Sequence, residues 1–108
     1  MSNGDTFPEM WHRLTQALVE PSLFTVPGTD ERFHAWYDAG GDGKEPAVWT
    51  KPLQGAKQVR LPQHERDYRR VYEAARAGTC STPTDAQKVT ARGHYIYTVL
   101  LTHGLVAN

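Results

Sequence analysis

The chain has 108 residues, enough for one hydrophobic core and short for two. Apolar residues make up 39% and charged residues 22%, enough apolar material to offset the ordering entropy of a compact fold, which excludes wholesale disorder. Basic and acidic side chains balance to zero, no apolar run is long enough for a membrane span, and the one cysteine, Cys80, excludes an intrachain disulfide.

Met1–Asp5 is polar and lacks the basic-then-apolar layout of an export signal, so a disordered start and a cytoplasmic protein are expected. Thr6-Phe7-Pro8-Glu9 has the form of a capping box with proline in the first turn. Met10, Trp11, Leu14, Ala17 and Leu18 follow at helical spacing, and Pro21 stops the helix near Val19. Residues 21–28 read as an irregular connection. Thr29 then caps a second short helix, with Phe33, Trp36 and Tyr37 at i, i+3 and i+4 and Gly40 as its stop. Residues 40–46 form a flexible glycine-rich loop.

Ala47–Thr50 and Gln58–Leu61 carry strand formers, leaving room for a short β-hairpin near 47–61 with a long connection. Pro62 opens a third helix, with Tyr68, Val71, Tyr72 and Ala75 on one stripe and Gly78 ending it. Arg66, Arg69, Arg70 and Arg76 fall off that stripe and should be solvated. Thr82-Pro83-Thr84-Asp85 is the clearest helix start in the chain.

From there to Gly104 the pattern reads three ways. Val89, Ile96, Val99, Leu100 and His103 line one long helix with Gly93 inside it. Alternatively the chain turns at Arg92-Gly93 into two helices, or Tyr95–Leu101 is a strand. All three bury the segment. The sum is a mainly α fold, a single domain over 1–108 with four to five helices.

Zero net charge conceals an asymmetry. Up to Ala56 the chain has four basic and eight acidic residues; from Lys57 onward it has eight basic and four acidic. Such a split points to nucleic acid, an acidic partner or self-association, homodimers included, unless the halves simply fold against each other.

Val99-Leu100-Leu101-Thr102-His103-Gly104-Leu105-Val106 resembles the end of a recognition helix in winged helix-turn-helix proteins. The resemblance covers residues 65–106, with helices over Tyr68–Ala77, Pro83–Ala91 and His94–His103 and an incomplete wing. It implies a small non-enzymatic regulator of transcription whose third helix enters the major groove of double-stranded DNA. Arg92, His94, Tyr95, Tyr97 and Thr98 would then face bases, with Arg69, Arg70 and Lys88 on phosphates.

The alternative is a protein-interaction module, an adaptor, inhibitor or small subunit, that uses Trp36, Tyr37 and Trp49 as its contact surface. The same rings equally serve as core filler.

Other constellations carry less. Asp38–Gly43 offers carboxylates at calcium-loop positions 1 and 5 and glycine at 6, but position 12 is Trp49. Glu45 stands where a phosphate loop would need Ser or Thr after Gly43-Lys44. His12, His34, His64, His94 and His103 lack metal-ligand spacing, and Cys80 has no placed base. The expectation is a protein without cofactor, metal or catalytic residues.

Overall fold

The computed structural model describes residues 6–53 and 60–106. Met1–Asp5, expected to be disordered, and Gln58–Val59 of an expected strand lie outside those residues. Among the described residues the fold is α+β, with four helices and a four-stranded antiparallel sheet. The mainly α expectation is corrected by that sheet.

Helix α1 (Phe7–Ala17) begins as its sequence dictates. The Glu9 carboxylate accepts the Thr6 backbone N–H at 3.0 Å, and Thr6 Oγ1 accepts the Glu9 N–H at 3.5 Å. The buried stripe is Phe7, Met10, Trp11 and Leu14. After it come β1 (Ser22–Thr25), β2 (Arg32–Asp38), β3 (Ala47–Pro52) and β4 (Leu61–His64), paired in chain order as a meander.

The first correction is β1, which lies in the stretch read as irregular. The second is β2, which replaces the expected helix over Phe33, Trp36 and Tyr37. Its residues alternate: Phe33 and Ala35 are fully buried, whereas Arg32, His34, Trp36 and Asp38 point away. The i, i+3, i+4 coincidence of three rings gave way to a period of two, which suits aromatic residues on a pleated surface. Thr29 does cap, but it caps the β1–β2 turn. Its hydroxyl donates to the Val26 carbonyl at 2.9 Å and accepts the Glu31 N–H at 3.0 Å.

Strands β2 and β3 meet in a tight turn where Gly41 and Lys44 exchange backbone hydrogen bonds at 3.1 and 3.0 Å. Asp42 and Gly43 both have positive φ, the geometry of an Asp-Gly hairpin turn. Strands β3 and β4 pair antiparallel, Ala47 opposite His64 and Thr50 opposite Leu61, so the second strand expected over Gln58–Leu61 is corrected to Leu61–His64, sharing only Leu61 with that range. Pro62 belongs to β4, an edge strand where a missing N–H is tolerated. The helix it was expected to open starts three residues later.

That helix, α2 (Glu65–Arg76), has His64 as N-cap, whose backbone N–H is accepted by Asp67 at 3.1 Å. Helix α3 (Pro83–Val89) starts at the Thr82 cap, with the Asp85 N–H donating to Thr82 Oγ1 at 3.1 Å. Helix α4 (Gly93–Thr102) follows a corner at Arg92, so the two-helix reading describes this segment. A Cβ on Gly93 would run into the backbone carbonyl of Ala86. The glycine therefore permits close contact of α3 and α4.

Helix α4 is the centre of the core. Tyr95, Ile96, Tyr97, Val99 and Leu100 are all buried, joined by Phe24, Phe33 and Val48 from the sheet and Leu14, Tyr68 and Val71 from α1 and α2. The ring contacts between helices and sheet fall on one side: Trp11 against Tyr37 and Tyr95 against Phe33, at 6.0 and 4.4 Å. Among the described residues, no helix is long and apolar enough to cross a membrane.

Candidate functional site

Strand pairing sorts the sheet residues into two faces. Phe24, Phe33, Ala35, Val48, Thr50 and Gln63 point toward the helices and are buried. The opposite face carries three cross-strand rows. Leu23, His34 and Lys51 align in one, Trp36, Trp49 and Pro62 in the next, and Asp38, Ala47 and His64 in the third. Directly opposed side chains lie about 5 Å apart at Cβ in such pairs. Trp36 and Trp49 are therefore adjacent, and both are partly exposed.

An open groove of about 450 Å³ runs along them, lined by Trp36, Asp38, Lys44, Trp49 and Arg60. Among the described residues, no ion pair engages Lys44, Lys51 or Arg60. Arg32 sits on the same face, in register with Thr25. The nearby anion Asp38 accepts the Gly40 N–H at 2.8 Å. Among the described residues lining the groove, Lys44 and Arg60 outnumber the one carboxylate, Asp38, and Leu23, 51% exposed, gives the face an apolar margin.

At the β4 corner lies a second hollow of about 280 Å³, lined by Glu45, Pro46, His64, Glu65, Arg66 and Arg69. Within it Arg66 lies 3.2 Å and His64 3.6 Å from Glu45.

The residues that the winged-helix resemblance implied are scattered by this fold. Arg69, Arg70, Lys88 and Arg92 are exposed, and Arg69 lies over the Phe7 ring at 4.6 Å. Tyr95, Tyr97 and Thr98 are in the core, where they cannot reach a base edge. The Tyr95 hydroxyl donates to Glu31 at 2.7 Å, Tyr97 to the Ser81 carbonyl at 2.9 Å, and Thr98 to the His94 carbonyl at 2.7 Å.

His94 is half-buried. Its Nδ1 is 3.0 Å from the Gln87 amide nitrogen and its Nε2 is 3.7 Å from Glu31. Burial, the larger effect, holds its pKa below the ordinary value against the opposing pull of Glu31.

Of the three rings in the alternative surface, the pleat separates one. Trp36 and Trp49 share the open face, whereas Tyr37 faces inward against Trp11. Lys44, Lys51, Arg32 and Arg60 were missed as site residues because charge was counted by halves of the chain. Three of them come from the acidic half. The alternation Arg32-x-His34-x-Trp36 was the available signal.

Cys80 is buried, and that burial pushes its thiol up, assisted by the nearby Asp85. The tyrosines Tyr68, Tyr95 and Tyr97 are likewise shifted upward by burial. Among the described residues, no three His, Cys, Asp or Glu side chains group as metal ligands. No family model, curated protein or solved structure matches this chain.

Proposed function

We propose that the protein is a small, non-catalytic nucleic-acid-binding module whose interface is the open face of the sheet. The observation that carries the reading is the juxtaposition of the Trp36–Trp49 pair with Lys44, Lys51 and Arg60, cations without ion-pair partners among the described residues. Aromatic rings interleaved with cations match a ligand that is both polyanionic and rich in flat bases. The buried, unpaired Cys80 favours a reducing compartment, and a cytoplasmic setting belongs to the same reading.

Binding of labelled random-sequence DNA, followed by anisotropy as salt rises, tests it. Neutralising three or four phosphates lowers affinity by roughly one to two orders of magnitude between about 50 and 200 mM salt. Replacing Lys44, Lys51 and Arg60 together with Glu should weaken binding and flatten the salt slope. Absence of binding at low salt would sink the proposal.

The exposed Leu23 on the same face favours a second reading, a protein partner. Its complex should persist at high salt, because burial of apolar surface is not screened.

A further inference from the structure

The geometry points to a single-stranded ligand: we infer that two unpaired bases stack on Trp36 and Trp49 while Lys44, Lys51 and Arg60 hold the adjoining phosphates. This rests on the nucleic-acid reading above and specifies which form of nucleic acid the face accepts.

Three observations carry the step. The two rings are cross-strand neighbours at the middle of the sheet, so they offer two stacking positions side by side. They are partly exposed and border an open groove, where a splayed base has room to enter. In a duplex, by contrast, the base faces are occupied by neighbouring pairs and only edges show in the grooves. Ring faces on a broad sheet have nothing to stack against there. A protein that reads duplex DNA would instead insert an element into the major groove, and α4, the helix whose position suits that role in the sequence, is buried on the far side of the sheet.

Charge placement agrees. Lys44 and Arg60 line the groove itself, and Lys51 lies one row away on β3, two residues from Trp49. A backbone crossing the Trp row therefore passes cations on both sides. An acidic peptide would satisfy the cations but leave the two ring faces without flat partners.

The test uses the full chain and four probes of equal charge: single-stranded oligothymidylate, the same strand without bases, an oligothymidylate–oligoadenylate duplex, and polyglutamate. Oligothymidylate should bind and quench tryptophan emission. Trp11 is packed among Phe7, Tyr37 and Tyr68 in the core, so the change reports on Trp36 and Trp49.

Trp36→Ala or Trp49→Ala should each lower single-strand affinity roughly five- to hundredfold, whereas Trp36→Phe retains most of it. The abasic strand and polyglutamate should bind weakly without quenching. Equal or tighter binding of the duplex, the abasic strand or polyglutamate would overturn the inference, as would single-strand affinity indifferent to both alanine variants. Duplex binding that is salt-dependent but indifferent to the tryptophans leaves the parent reading standing and removes this one. Failure of every nucleic-acid probe at low salt removes both. Unchanged circular dichroism of each variant separates loss of binding from loss of fold.

Discussion

At the scale of single residues, His94 couples the fold to pH. Its imidazole sits at the start of α4, with Gln87 of α3 on one nitrogen and Glu31 of the β1–β2 turn near the other. Burial depresses its pKa below the ordinary 6.5, with Arg92 acting in the same direction and Glu31 opposing. The unfolded chain therefore takes up this proton at a higher pH than the folded protein does. Its contribution to stability is complete above about pH 6.5 and is lost as pH falls through the folded-state value. His103 is shifted the same way by burial and adds to the trend. Denaturant midpoints measured across this range should fall toward acid, and His94→Asn should make the decline shallower. An unaltered slope in that variant would refute the assignment.

The elements record how far local chemistry reaches. The caps of α1 and α3 were legible because a Thr hydroxyl and an acid a few residues on form a local bond whatever surrounds them. Strand β2 was not, because Phe33, Trp36 and Tyr37 satisfy both a helical and an extended reading. Only pairing with β1 and β3 decides between them. Asp42-Gly43 was a readable hairpin signal inside a stretch taken for a flexible loop.

Gly93 shows the opposite limit. Its role depends on Ala86 of another helix, which no local pattern reveals. Gly93→Ala should force α3 and α4 apart and destabilise the protein by about 1–3 kcal/mol, measured by thermal or chemical denaturation. A variant as stable as the parent would mean the helices separate at no cost.

Across the whole molecule, the core and the proposed binding surface occupy opposite faces of one sheet. The inner face meets α4 through Phe33, fully buried and 4.4 Å from the Tyr95 ring. Phe33→Ala should therefore cost about 3–5 kcal/mol. Trp36→Phe, which keeps a ring on the opposite, partly exposed face, should cost less than that change. Comparison of the three melting curves decides the matter; a Trp36→Phe variant less stable than Phe33→Ala would make that tryptophan part of the core. Division by face was legible only once the strands were paired, since the cations beside the tryptophans come from both the acidic and the basic half of the sequence.

The central place of α4 also sets an order of assembly. Each strand pairing joins sequence neighbours, so the meander can zip locally, a topology that favours rapid folding. Yet Phe33 is covered by Tyr95 and Phe24 meets His103, side chains roughly sixty to eighty residues further on, and Tyr95 also reaches back to Glu31. On a ribosome the sheet emerges well before the helix that covers it. Until residues 93–102 are free of the exit tunnel, the nascent chain presents an uncovered aromatic surface, the kind of exposure that chaperones recognise and that drives aggregation.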